Sequence, residues 1–126
     1  MSKQQDQTVA QYMSESFETV GEDSSLVTAA ERMGAGNMGA VIVTGEPTSI
    51  VTSTDIVRKV ADGKDTSSLH VDDAATAVTT TIEPTQHIKD AASTMLQEGI
   101  SYVPVTDEGD IVGVLSKTDL TESSAG

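Results

Sequence analysis

The stretch "SIVTSTDIVRKV", residues 49–60, decides the fold, because "GVLSKTDL", residues 113–120, repeats its pattern. Each has branched aliphatics, then a hydroxyl residue, two spacers, an Asp and an apolar residue. Branched aliphatics at this density read as a strand. A hydroxyl three residues ahead of an acid reads as a helix start. The hydroxyl oxygen accepts from the amide of the third helical residue, and the acid reaches back to the cap amide. The chain therefore writes one strand-to-helix turn twice.

The duplication extends outward from these turns. "LVTAAERM" (26–33) aligns with "IKDAASTM" (88–95), so Ala29, Ala30 and Met33 fall on Ala91, Ala92 and Met95, 62 positions on. The same step carries Val9 to Val71, Val20 to Ile82, and Val41 and Val43 to Val103 and Val105. At the acid turns the step is 64, from Asp55 to Asp119. Two extra residues must lie in between, where "TDEGD" (106–110) replaces the expectedly tighter "TGEPTS" (44–49). A hairpin tip tolerates such an insertion.

Each copy reads β-α-β-β-α. An extended stretch ends at Val20 or Ile82. Asp23 or Ser24 is expected to cap the first helix, and Pro84 with Thr85 its counterpart. Leu26, Ala29, Ala30 and Met33 recur at helical spacing, as do Ile88, Ala91, Ala92, Met95 and Leu96. Gly34, Gly36 and Gly99 are expected to end these helices. Strands "GAVIV" and "SYVPV" follow, then a hairpin, a second strand and a last helix. The fold class is α/β, with two such modules expected to pack with pseudo-two-fold symmetry. The expected boundaries are modules at 8–61 and 71–120, a linker at 62–70, and loose ends at 1–7 and 121–126.

Composition excludes several classes. There is no cysteine, so disulfides and thiolate metal sites are out. His70 and His87 lack the partners of a metal site, and none is expected. No apolar run approaches the ~20 residues a membrane helix needs, and "MSKQQDQT" has no signal-like apolar core, which makes the cytoplasm the default. Twenty acids against seven bases leave a net charge of −13. Nucleic-acid backbones want clustered cations, so such a partner is not expected. The acidity fits either a high-salt cytosol, the reading favoured here, or a basic partner. No nucleophile elbow, Walker loop or dinucleotide fingerprint is present, so no enzyme activity is expected. "GAGNMG" (34–39) follows a helix and precedes a strand, the reverse of a phosphate loop, and reads as a connector.

The tandem pattern resembles the CBS domain, named for cystathionine β-synthase, over about residues 9–120. "DIVGVLSKTDL", "SIVTSTDI", "AAERM…NMGAVIV" and "AASTMLQEGISYVPV" carry the resemblance. It implies a stand-alone regulatory pair that binds an adenosyl ligand in the cleft between modules and signals by population shift. By resemblance, Asp55 and Asp119 accept the two ribose hydroxyls, with Thr52, Thr54, Ser116, Lys117 and Thr118 near ribose or phosphate. The adenine walls implied are Val20, Met38 and Ala40, and Ile82, Ile100, Tyr102 and Pro104.

AMP, ADP, ATP or S-adenosylmethionine is the regulatory ligand so implied, with no required cofactor. A triphosphate suits this acidic chain poorly, whereas adenosine, AMP or S-adenosylmethionine suits it better. The resemblance also implies a homodimer, for which Ala29, Met33, Ala91 and Met95 are the expected interface, and a downstream protein partner. Two departures stand out: Ser49 takes the place of Gly113, and Ser53 the place of Lys117. Against the ligand reading stands a plainer one, in which the two acids only cap helices and the pair is a ligand-free dimerisation or interaction scaffold.

Overall fold

A computed structural model of the chain describes residues 7–125. In chain order the elements are α1 (Val9–Tyr12), β1 (Thr19–Gly21), α2 (Leu26–Gly36), β2 (Ala40–Thr44), β3 (Ser49–Thr52) and α3 (Ser53–Ala61). There follow β4 (Thr76–Ala77), α4 (Ile88–Glu98), β5 (Tyr102–Asp107), β6 (Asp110–Ser116) and α5 (Lys117–Ala125). Short 3-10 turns occupy Thr66–Ser68 and Val71–Asp73. The chain divides into two compact units. Among the described residues, the first is Ser16–Thr79 and the second joins 7–15 to 80–125.

In the first unit the strands lie in the order β1-β2-β3-β4, with β1 parallel to β2 and the other neighbours antiparallel. Leu26, Ala29 and Met33 recur along one face of α2, and Val20, Val41, Val43 and Val51 come from the sheet. Together with Val71 they form one buried cluster. The second unit repeats this with Ile88, Ala91 and Met95 of α4 against Ile82, Val103, Val105 and Leu115, and Val9 completes it. Ala29, Met33, Ala91 and Met95 are therefore interior residues, exposed by 8% or less. That corrects their expected role as a dimer interface: their helical stripe is consumed in covering each unit's own sheet.

The units cut across the sequence repeat. Val9 donates its amide to Gln86 O (2.9 Å) and Ile88 donates to Gln7 O (3.0 Å). At the aligned positions Val71 donates to Ser24 O and Leu26 to Leu69 O, both at 2.9 Å. Three bridges have counterparts at the same registers: Thr8 with His87 as His70 with Ser25, Ser14 with Val114 as Thr76 with Ile50, and Ile82 with Val105 as Val20 with Val43. The segment that precedes each copy thus completes the core of the other. Val9 and Val71, the aligned pair, are both fully buried.

Local chemistry explains where the copies differ. Ile42 donates its amide to Glu18 O (3.0 Å), which lengthens β1. Its counterpart Pro104 has no N–H, so the equivalent strand shrinks to the single bridge at Ile82. The two extra residues do lie in the hairpin. The last aligned pairs are Val43 with Ser49 and Val105 with Gly113. The shorter hairpin is not the tighter one, however. The insertion carries the β5–β6 ladder past a register shift at Val105/Thr106 to Asp107 opposite Asp110. The turn there has positive φ at Glu108 (53°) and Gly109 (88°), the conformation a two-residue hairpin turn needs. In the first unit Thr44 to Thr48 instead span the gap between Val43 and Ser49.

The Gly113/Ser49 difference has a steric cause. A Cβ on Gly113 would sit 2.7 Å from Met13 Sδ and 3.0 Å from Ser14 O. At the positions aligned with Met13 and Gly113 the first unit carries Ala75 and Ser49. A large residue faces glycine in one copy, and alanine accompanies serine in the other. Gly113→Ser is expected to cost about 1–3 kcal/mol by overpacking. Met13→Ala in the same chain should recover most of that in a urea melt.

Several expected boundaries move. Ser25, not Asp23 or Ser24, caps α2, accepting from Thr28 N at 3.1 Å. His87, not Pro84 or Thr85, caps α4 by accepting from Lys89 N at 3.1 Å. Gly34 and Gly36 lie inside α2, which ends on Asn37 in the left-handed region (φ 52°); Gly99 (φ 66°) ends α4 as expected. Within 62–70, Asp65 caps a 3-10 turn. Hydrogen bonds from the Ser67 hydroxyl, then the Ser67 amide, hold its carboxyl below the usual range. The stability it lends is present at neutral pH and lost as acid protonates it. At the C-terminal end α5 runs through 117–125, with Ser123 buried and donating to Leu120 O at 2.7 Å. Of the expected loose start at 1–7, residues 1–6 lie outside the described residues.

Candidate functional site

Both quoted turns form capping boxes of matching geometry. Asp55 Oδ2 accepts from Thr52 N (2.8 Å) and Thr52 Oγ1 (2.9 Å), while Asp55 N donates to Thr52 Oγ1 (3.3 Å). Asp119 Oδ2 accepts from Ser116 N (2.8 Å) and Ser116 Oγ (3.0 Å), while Asp119 N donates to Ser116 Oγ (3.2 Å). Two of a carboxylate's four lone-pair positions are thereby filled, both on one oxygen. Among the described residues no hydrogen bond reaches Oδ1 of either Asp. Both aspartates are half-buried, and no buried side-chain oxygen among the described residues lacks a partner, so Oδ1 is not sealed from solvent and its acceptor capacity is unspent.

The backbone stitches each turn to the loop ahead of the preceding strand. Ser53 N donates to Gly39 O (2.8 Å), and Lys117 N donates to Ser101 O (3.0 Å). Ala40 is the cross-strand partner of Thr52, and Tyr102 that of Ser116. In the first unit this gathers Thr52, Thr54, Asp55, Met38 and Ala40 at one end of the sheet. In the second it gathers Ser116, Lys117, Thr118, Asp119, Ile100 and Tyr102. Met38, Ile100 and Tyr102 are half-buried; Ala40 is buried.

The remaining wall residues lie elsewhere. Val20 pairs with Val43, three residues along β2 from Ala40 and so about 10 Å from the turn. Val20 and Ile82 both belong to their units' buried clusters, and Pro104 is buried opposite Val114. Gly39 and Ser101, whose carbonyls tether the turns, were read only as the first residues of the strands "GAVIV" and "SYVPV" and not singled out. Their only signal is position, one residue before "AVIV" and "YVPV".

The charges at the two turns differ. Lys117 opens α5 and is exposed, whereas its counterpart Ser53 is neutral. Arg58 and Lys59 lie a turn further along α3. Among the described residues no three His, Cys, Asp or Glu side chains converge as a metal site would require. Among the same residues no helix is long and apolar enough to cross a membrane.

Comparison with known proteins bears on the repeat and on the fold. The CBS domain family model matches residues 9–62 and again 71–126. Protein MJ1225 of Methanocaldococcus jannaschii is 29% identical over 114 residues, covering 88% of this chain. The chain spans about two fifths (40%) of that relative's length. A CBS-domain protein from Burkholderia ambifaria is 28% identical, with a TM-score of 0.85 and 93% of both chains covered. The CBS domain pair of protein MJ0100, solved with 5′-methylthioadenosine and S-adenosyl-L-methionine, shares the fold at a TM-score of 0.83. It is 23% identical, with 94% of this chain and 96% of that one covered. With two matches that together take in most of its residues, the chain belongs to the CBS domain family, as a tandem pair.

Proposed function

We propose that this chain is a regulatory module, without catalysis of its own, that binds an adenosyl ligand at its acid-bearing turns. The observation that carries the reading is the half-spent carboxylate. Asp55 and Asp119 each use Oδ2 to cap a helix and keep Oδ1 for something else. A carboxylate oxygen with both lone pairs open suits two vicinal hydroxyls, and the bonds are charge-assisted. Met38 with Ala40, and Ile100 with Tyr102, supply apolar surface beside each turn for a purine. The ligands of the MJ0100 pair, both adenosyl compounds, support the same class.

Charge selects within that class. The chain is at −13, with Lys117 the one cation opening either turn, so a triphosphate has few counter-charges. Adenosine, AMP or an adenosyl thioether is the better fit, and AMP would favour the second unit, where Lys117 stands. Binding at the turn shifts the population of conformers, which a protein partner reads.

A thermal-shift screen of AMP, ADP, ATP, S-adenosylmethionine and 5′-methylthioadenosine tests this. A ligand at 100 times its dissociation constant should add about 2.7 kcal/mol. Asp55→Ala and Asp119→Ala should each lower the ligand-free stability by only about 1 kcal/mol, the worth of a cap. Together they should abolish the ligand increment. Stabilisation that survives both substitutions would leave the carboxylates as caps alone. No stabilisation by any of these ligands would favour a scaffold.

A further inference from the structure

The two acid-bearing turns share one hydrogen-bond pattern but differ in what stands beside them. The step of 62 aligns Tyr102 with Ala40. Each is the cross-strand partner of the hydroxyl residue that caps its helix, Tyr102 of Ser116 and Ala40 of Thr52. The bond from Lys117 N to Ser101 O flanks the first pair, and that from Ser53 N to Gly39 O the second. Both are therefore non-hydrogen-bonded pairs, in which facing side chains lie closest, with Cβ atoms about 4.5–5.5 Å apart. Ser116 Oγ in turn donates to Asp119 Oδ2 at 3.0 Å. A phenol ring thus stands one side chain away from the second carboxylate, where the first has a methyl group. The fold gives the ring no other task. Tyr12, Met13, Ile100, Val112 and Leu120 pack against the second unit's core, and Tyr102, half-buried, is not among them.

We propose that the two turns are unequal sites, and that Tyr102 makes the second the tighter by lying against the nucleoside that Asp119 holds. This presupposes the adenosyl reading above; it adds which turn fills first and which side chain decides it. A base or sugar laid on an aromatic face gains contact that a methyl group does not offer. Such stacking is worth about tenfold or more in affinity. The first turn, with Ala40 in the same place, lacks that increment. The chain then takes one ligand at low concentration and a second only well above it. Charge near the turns does not settle the order. Lys117 opens α5 where α3 has Ser53, but a turn further on α3 has Arg58 where α5 has Glu122. A ligand without a phosphate therefore isolates the ring.

The chain has no Trp and two Tyr, so Tyr12→Phe leaves Tyr102 as its one tyrosine emitter. That chain, titrated with 5′-methylthioadenosine, is expected to show saturable quenching of tyrosine emission. Calorimetry on the same sample should find one ligand bound per chain in the phase that quenches, with any second ligand at least ~tenfold weaker. Asp119→Ala should abolish the quenching. In the otherwise unaltered chain, Tyr102→Ala should weaken the tighter phase ~tenfold or more, and Tyr102→Phe, which keeps the ring, should bind close to wild type. Circular dichroism should show each variant folded. Two equal affinities, quenching that survives Asp119→Ala, or a Tyr102→Ala chain that binds as the wild type does would overturn the inequality and leave the adenosyl reading standing. So would binding of AMP with none of 5′-methylthioadenosine, which would make the phosphate decisive rather than the ring. No binding of 5′-methylthioadenosine, AMP or S-adenosylmethionine by the folded chain would overturn both.

Discussion

Val9→Ala is expected to loosen residues more than 70 positions away while leaving the unit from Ser16 to Thr79 intact. Val9 is fully buried among Ile82, Ile88, Ala91, Met95, Val103, Val105 and Leu115. Losing two methyl groups there costs about 2 kcal/mol, from lost transfer energy and the cavity left behind. Hydrogen exchange should quicken in α4, β5 and β6, while β2 and α2 hold their protection. Val71→Ala should do the opposite, since Val71 completes the cluster of Val20, Leu26, Ala29 and Met33. Val9→Asp goes further: an unpaired carboxylate in that core costs several kcal/mol and should unfold the second unit outright. The outcome that would refute the exchange is a Val9 substitution that speeds exchange in β2 rather than β5.

The second large effect expected is of salt. Twenty acids and seven bases leave −13 on 126 residues. Among the described residues one ion pair appears, Arg32 with Glu18 at 3.5 Å, and it is exposed. The acids are thus mostly uncompensated at the surface, and compaction brings them together. Two like charges 10 Å apart in water repel by ~0.4 kcal/mol, and screening shrinks the reach of that repulsion from ~30 Å at 0.01 M salt to ~3 Å at 1 M. Summed over such pairs, and offset by the repulsion left in the unfolded chain, about 3 kcal/mol is at stake. For a chain this size that is about 10 °C in melting temperature. Scanning calorimetry from 0.01 to 1 M KCl should show the rise. A flat response would mean the acids are spaced too widely to matter, and would remove the case for adaptation to a salty interior.

The duplicated order of elements was legible because period-2 and period-3.6 patterning and the paired capping turns all repeat at a fixed step. The turns were legible for a further reason: a capping box is a local device, written within four residues. What escaped is non-local. Val9 aligns with Val71, but nothing in either neighbourhood says that each serves the other copy's core. Ala29, Met33, Ala91 and Met95 look the same on a helical wheel whether they face a sheet or a second molecule. Only the sheet's position decides that they are interior. Val20 and Ile82 entered the list of ligand walls through the family resemblance alone, and parallel pairing sets each against the strand residue three places beyond the one that faces the turn. Proline's missing donor at Pro104 was readable in the sequence, and its effect on the strand it would have paired with appears only once the register is known.

The claim on which the functional account rests is that Asp55 and Asp119 hold a nucleoside as well as a helix. Isothermal titration of the full chain with S-adenosylmethionine, 5′-methylthioadenosine and AMP measures this directly, in wild type and in the Asp55→Ala/Asp119→Ala chain. The account predicts saturable binding of at least one of the three in the wild type and none in the variant, with circular dichroism showing the variant folded. Equal binding by both chains, or no heat from any of the three ligands with the folded wild type, would contradict it.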